Sequence, residues 1–294
     1  MSTFAPWYYR NLLEDKKIID SAEFFKAEML SGEVLYEVIC SLNERLRPEW
    51  VSKSDVYNNC DGSGTSPYKN IAVYKAISEA LERWAFYEAA DSTDAKRLCF
   101  DSNPTTTGMA AYPGLTSNGA RIKAIQEANE RWALHEFWRG NLPVIEHRCS
   151  IENLQRFEII APIDNCRISL LSYKKGVQYL YSFAAEKTIE ESFKHALVEL
   201  ARNIRVMAKI GGSSKVVSDF NDISDKRLFY FSTEVGHDLF IEKIEGAATG
   251  IKIQPKIICD LEIKGEWNKY TRVWRHLYAN SYPDSEIDHT IFMF

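Results

Sequence analysis

Apolar residues recur at helical spacing in several stretches of this chain. In residues 75–85, Ile77, Leu81 and Trp84 fall at i, i+4 and i+7, among good helix formers and without Gly or Pro. A helix anchored to a core along one face is predicted there. The same stretch returns 48 residues later, at 123–133, with nine of eleven positions identical; only Ser78/Gln126 and Leu81/Asn129 differ. Ile125 and Trp132 repeat the apolar stripe, and polar Asn129 interrupts it. Gly140 and Pro143 then act as stop signals behind Phe137 and Trp138. From 188 to about 209, Phe193, Leu197, Leu200 and Ile204 line the apolar side of a third helix.

Residues 21 to about 46 also read as helical. Asp20 and Glu23 have capping-box spacing, and Phe25, Met29, Leu35, Val38, Ile39 and Leu42 supply apolar positions. Gly32 is expected to split this stretch into two helices, and Pro48 to end it. Strand-like runs at 167–172 and 177–183, around Lys174-Lys175-Gly176, predict a β-hairpin. Residues 228–232, 251–253 and 257–263 are further strand candidates, the last two divided by Pro255. The apolar segment 287–294 is expected to pack down. No linker or low-complexity run divides the chain, so one domain over 1–294 is expected, opening with a helical segment over 1–57.

Composition narrows the function. A chain of 294 residues that is 45% hydrophobic can bury a large core. Net charge −5 and a pI near 5.8 leave no basic footprint for nucleic acid. The first ten residues lack signal-peptide character, and no apolar run reaches membrane-spanning length, so a cytoplasmic protein without a membrane partner is expected. The six cysteines are scattered, without Cys-x-x-Cys or histidines at ligand spacing. They are expected to be free thiols, mostly in the core, which argues against zinc.

The charged residues of the repeat carry the chemistry. Glu79 and Glu82 stand at i and i+3, as do Glu127 and Glu130. Such pairs lie side by side on one helix face and repel. One copy is most often a solvated face; two near-identical copies point to a shared site. Four clustered carboxylates must either take up protons or gather a cation. A hard ion such as Mg²⁺ suits them, since it prefers carboxylate oxygens and keeps positions free for phosphate. Gly62-Ser63-Gly64 reads as a loop entering the first repeat helix, where backbone N–H groups could meet an anion, although an ordinary turn fits as well. The run 101–111, with Thr105 to Thr107 and Gly108, would suit a nucleotide or peptide, or a loop crossing the core. The third helix keeps one carboxylate, Glu199, and puts Arg202 where the repeats have their second glutamate.

Taken together these motifs resemble the YcaO family, over about residues 58–210. The resemblance rests on the Gly-x-Gly run before Glu79-x-x-Glu82-Arg83, on Thr107-Gly108-Met109-Ala110-Ala111, on Glu127-x-x-Glu130-Arg131 followed by Phe137-Trp138 and Leu142-Pro143, and on Ala196-Leu197-x-Glu199. It implies an α+β YcaO-type domain, with helices packed on mixed or antiparallel strands. It implies ATP and Mg²⁺ as cofactors, with Glu79, Glu82, Glu127 and Glu130 as the Mg²⁺ ligands. Glu199, Arg83, Arg131, Arg202, Lys75, Gly62, Ser63 and Gly64 would then be nucleotide contacts, while no residue is singled out as catalytic. The implied activity is ATP-dependent activation of peptide backbone amides in the maturation of a ribosomally made peptide. Cyclodehydration of Cys, Ser or Thr to an azoline leads; thioamide or amidine formation follows. The implied partners are a precursor peptide and a separate substrate-presenting protein, which the first 60 residues would contact; a homodimer is also allowed.

The chain departs from the family's pattern at Lys75, where serine is usual, at Gly119, where a glutamate often stands, and at Arg202, where glutamine is common. These departures fit a second class, a catalytically silent YcaO-like scaffold subunit, whereas the four retained glutamates argue for an enzyme. A general ATP-dependent ligase is the third reading.

Overall fold

The computed structural model describes residues 5–9, 11–51, 60–210, 216–281 and 288–292. The helices are α1 (Ala5–Tyr8), α2 (Leu12–Asp15), α3 (Lys69–Ala90), α4 (Asn118–Trp138), α5 (Ile189–Ile210), α6 (Ile223–Phe231) and α7 (Glu234–Glu245). The strands are β1 (Ile19–Glu28), β2 (Val34–Leu42), β3 (Gly62–Ser66), β4 (Met109–Tyr112), β5 (Val144–His147), β6 (Leu154–Ile159), β7 (Arg167–Lys175), β8 (Gln178–Glu186), β9 (Ile257–Ile263) and β10 (Arg272–Tyr278). All strand pairs are antiparallel, in three sheets ordered β1-β2-β3, β4-β10-β9 and β5-β6-β7-β8. The fold is α+β.

Each long helix lies between two sheets. α3 packs on β2 and β3 of the first sheet and β4 of the second. α4 packs on β4 and β10 of the second and β6 and β8 of the third. α5 packs on β7 and β8 of the third and reaches back to β1 of the first. Three apolar clusters follow the same division: Ile77, Leu81 and Trp84 in one, Trp132 and Phe137 in the next, and Leu197 and Leu200 in the last. The circle closes on α5, which brings all three helices to a common centre.

The first repeat helix meets its sheet unusually closely. Ala72, Ala76 and Ala80 are 0% exposed, and β3 lies directly on them. A Cβ on Gly62 would stand 2.2 Å from the Ala76 carbonyl oxygen, and one on Gly64 2.1 Å from that of Ala72. Only glycine permits that approach. Gly62-Ser63-Gly64 is therefore a strand, paired in register with residues 40, 39 and 38 of β2, and not a loop. A cradle of free N–H groups for an anion is not what these residues form.

Other expectations change as well. Residues 21–42 lie in the β1–β2 hairpin, with Asp20 and Glu23 inside β1 and Gly32 at φ +84° in the turn, and 44–46 make a single 3-10 turn. The helical segment expected over 1–57 is thus mainly strand where it is described. Its β-branched and aromatic residues favour a sheet, and burial of β2 on both faces removes the alternation that would have signalled it. Residues 228–232 fall mainly in α6, which Asp222 caps through the N–H groups of Ser224 and Asp225. Residues 251–253 form no strand. All six cysteines are free, but only Cys40, Cys166 and Cys259 are buried. The β7–β8 hairpin, β9 and the three long helices stand as expected, and Phe292 is buried in the second cluster. Among the described residues no helix is long and apolar enough to cross a membrane.

Candidate active site

The carboxylates of the two repeats face one another where α3, α4 and α5 converge. Each is held by a different neighbour. Glu79 Oε2 accepts from the Ser63 N–H at 2.8 Å and from its hydroxyl at 3.0 Å. Glu82 accepts from the backbone N–H of Ala111 in β4. Glu130 accepts from the Ala185 N–H of β8 at 3.0 Å. Glu127 lies 4.0 Å from Arg131, one turn along α4. The arrangement follows from helix spacing: i and i+3 bring each pair to one face, and a strand edge supplies the donors.

α5 completes the cluster. Arg202 is 3.3 Å from Glu199 and donates to the Ser63 hydroxyl at 3.0 Å, so one guanidinium links the third helix to the residue that holds Glu79. His195 stands between Glu186 at 3.2 Å and Glu199 at 3.9 Å. Lys75 donates to the Thr65 carbonyl at 3.0 Å, and its charge acts on Glu199.

Electrostatics ties the two pairs into one site. Burial, with Glu127 and Glu79 nearby, raises Glu82 well above the usual carboxylate range. Burial raises Glu127 to about 8; Glu130 and Glu79 add to the rise, and Arg131 and Arg83 oppose it. Burial raises Glu130 too, against Arg131 and His195. Glu199 goes the other way: burial opposes its ionisation, but Arg202, His195, Lys75 and Arg131 outweigh it. Burial also lowers the Lys75 ammonium, and Lys123 lowers it further. Carboxylates raised together by burial and by one another are short of cations. That deficit lies on the two repeats, where the Glu82–Glu127 interaction crosses from helix to helix.

Among the described residues no three His, Cys, Asp or Glu side chains are gathered into a ready-made metal cage. The donor set still suits Mg²⁺, which is commonly held by one or two carboxylates, with water and substrate phosphate completing its octahedron. Two surface depressions of about 620 and 570 Å³ lie away from the glutamates, one beside Phe24 and Tyr68 and the other beside Lys174 and His237. Charge marks the glutamate site.

Most sequence candidates meet here: both glutamate pairs, Glu199, Arg131, Arg202, Ser63 and Lys75, with Arg83 acting on Glu79 and Glu82. Gly62 and Gly64 contribute packing. His195, Glu186 and Lys123 were not legible as site residues, although His195 precedes Glu199 by one helical turn. Gly119 also has a structural reason: a Cβ there would strike the Tyr112 ring at 2.4 Å.

Three long helices set between antiparallel sheets make an α+β fold that is shared with solved YcaO-type structures. Among solved structures, YcaO from Methanopyrus kandleri bound with AMPPCP and Mg²⁺ superposes with a TM-score of 0.54 over 92% of this chain and 88% of that one, at 16% identity. The E. coli microcin synthetase McbBCD complex with pro-MccB17 bound gives 0.55 over 88% and 87%, at 12% identity. A heterocyclase in complex with substrate and cofactor gives 0.54 over 93% of this chain and 51% of that chain, at 10% identity. At such identities the likeness establishes the fold. No family model and no curated protein matches the sequence.

Proposed function

We propose that this protein is a YcaO-family enzyme that uses ATP and Mg²⁺ to activate backbone amides of a ribosomally made peptide, with cyclodehydration of Cys, Ser or Thr to an azoline as its reaction. The observation that carries this reading is that the two pairs are buried together across two helices: burial raises Glu82 and Glu127, and Glu79 adds to the rise of both. A pair of solvated helix faces would have no such burial. The AMPPCP and Mg²⁺ bound to the Methanopyrus kandleri protein, and the pro-MccB17 bound to the microcin synthetase, support the same reading.

On this reading Glu79, Glu82, Glu127 and Glu130 would hold the cation that binds the nucleotide. Bound there, Mg²⁺ would neutralise phosphate charge and align the transferred group. Arg202, Arg83, Arg131 and Lys75 supply fixed positive charge around the phosphates, and Glu199 orients Arg202. The substrate side chain would lose its proton and attack the preceding amide carbonyl; ATP would phosphorylate the resulting oxygen, which leaves as phosphate, and loss of the amide N–H proton would form the azoline C=N bond. A separate protein presents the peptide, which accords with a microcin synthetase that is itself a multiprotein complex.

Peptide-dependent phosphate release tests the proposal. Glu79→Gln and Glu127→Gln should each abolish it while circular dichroism stays that of the wild type. Full activity in either variant would reduce that pair to a helix face. No hydrolysis by the wild-type protein with its genomic precursor peptide would return the chain to the scaffold reading.

A further inference from the structure

One strand, β10, bonds to both elements that flank the glutamate cluster: α4, and the segment that leads into β4. Asn129, the polar residue that interrupts the apolar stripe of α4, lies between Glu127 and Glu130 and accepts a hydrogen bond from the Tyr278 hydroxyl at 2.8 Å. Both side chains are buried. Three residues earlier on β10, Arg275 is 0% exposed and stacks 3.9 Å over the Phe100 ring. Its Nη1 donates to the Thr105 carbonyl at 2.7 Å and its Nη2 to the Asn103 carbonyl at 2.8 Å. The next N–H, that of His276, donates to the Gly108 carbonyl at 2.8 Å. Gly108 stands at φ +67°, and a Cβ there would come 1.8 Å from the His276 oxygen.

These bonds clamp residues 103–108 onto β10 and so fix where β4 begins, with Met109 opposite Arg275. Two residues further on, Ala111 gives Glu82 its backbone hydrogen bond. A guanidinium buried against neutral carbonyls and an aromatic face gains little stability over an apolar side chain of the same size. What it adds is geometry, because its rigid fork holds two carbonyls at a fixed spacing.

We propose that β10 sets the distance between the two carboxylate pairs. Arg275 is a positioning residue that acts through β4 on Glu82; Tyr278 is one that acts through Asn129 on the seating of α4, the helix that carries Glu127 and Glu130. The inference rests on reading those pairs as a cation–nucleotide site, and it adds the element that tunes them. Mg²⁺ requires oxygens at a short, near-octahedral spacing, whereas Ca²⁺ accepts longer and looser ligation. Spacing therefore becomes cation preference.

The test is calorimetric ATP binding with Mg²⁺ and with Ca²⁺, together with hydrogen exchange across residues 109–112 in the nucleotide-free protein. In Tyr278→Phe the preference for Mg²⁺ over Ca²⁺ should fall by about tenfold, the lower end of what loss of a group behind a metal ligand does. In Arg275→Lys exchange across 109–112 should quicken by about tenfold as a local opening. Leu154→Ala, in the core beneath α5, should lower the melting temperature and change neither reading. If the β10 variants behave like Leu154→Ala, the spacer role is wrong. If the wild type binds ATP with neither cation, the nucleotide reading fails, and exchange in Arg275→Lys still decides whether β10 holds β4.

Discussion

At Arg202 an active site and an inert ion cluster predict different behaviour. The guanidinium is held by Glu199 at 3.3 Å and by the Ser63 hydroxyl at 3.0 Å, beside the residue that anchors Glu79. A charge so placed would stabilise phosphate oxygens as transfer proceeds, and loss of one such contact commonly costs 10²–10³ in rate. Arg202→Ala should therefore slow peptide-dependent ATP turnover by about that range; an unchanged turnover number would make it structural. Glu127 offers a reading that needs no turnover. Its carboxyl is raised to about 8, while an unfolded glutamate ionises near 4.3. Between those values the folded chain keeps a proton that the unfolded chain has lost. Its contribution to the stability of the metal-free protein is thus complete below about pH 4.3 and disappears as pH rises toward 8. Ligation at pH 7 must expel that proton. Binding of Mg²⁺ and ATP should release protons, about one of them from Glu127, seen as a heat that changes between phosphate and Tris buffers and is reduced in Glu127→Gln. Heats independent of the buffer would mean that Glu127 meets no cation.

At the scale of elements, the β3–α3 contact makes the sharpest demand on sequence. Gly64→Ala would press a methyl group 2.1 Å from the Ala72 carbonyl and 2.6 Å from the Ala76 nitrogen, neither of which can yield without moving the helix. The cost should be about 1–3 kcal/mol, with a melting temperature several degrees lower and weaker nucleotide binding, since Ser63 moves with the strand. A variant that melts with the wild type would contradict this packing. The same contact marks the limit of what the sequence tells. The three long helices and the β7–β8 hairpin were legible because each is long, periodic and bounded by its own signals. The Gly-x-Gly run was not, because a glycine chosen for close packing looks like one chosen for a turn. The β1–β2 hairpin was hidden because Leu35, Val38, Ile39 and Leu42 satisfy a helical period while lying in a strand buried on both faces. α6 was hidden behind the apolar run Leu228 to Phe231, and Asp222 was the signal that could have found it. For the site, the paired glutamates were legible by their repetition. Their partners Ala111, Ala185 and His195 were not, since backbone donors carry no sequence signature and His195 does not recur.

At the scale of the whole molecule, three helices and three sheets alternate in a ring, and each helix carries carboxylates to its centre. A duplicated Glu-x-x-Glu then has a geometric meaning: two helices rooted in different sheets present the same pair to one point. The fold is shared with structures only 10–16% identical, so the arrangement of helices and sheets persists where most of the sequence does not. The claim on which everything else depends is that the two pairs form one site for a cation and a nucleotide. Isothermal titration of ATP into the wild-type protein, in excess Mg²⁺ and then in excess EDTA, addresses it directly. Saturable binding in Mg²⁺ that disappears in EDTA is the predicted result. Equally tight binding in both would show that the nucleotide does not reach the protein through a metal held by these glutamates.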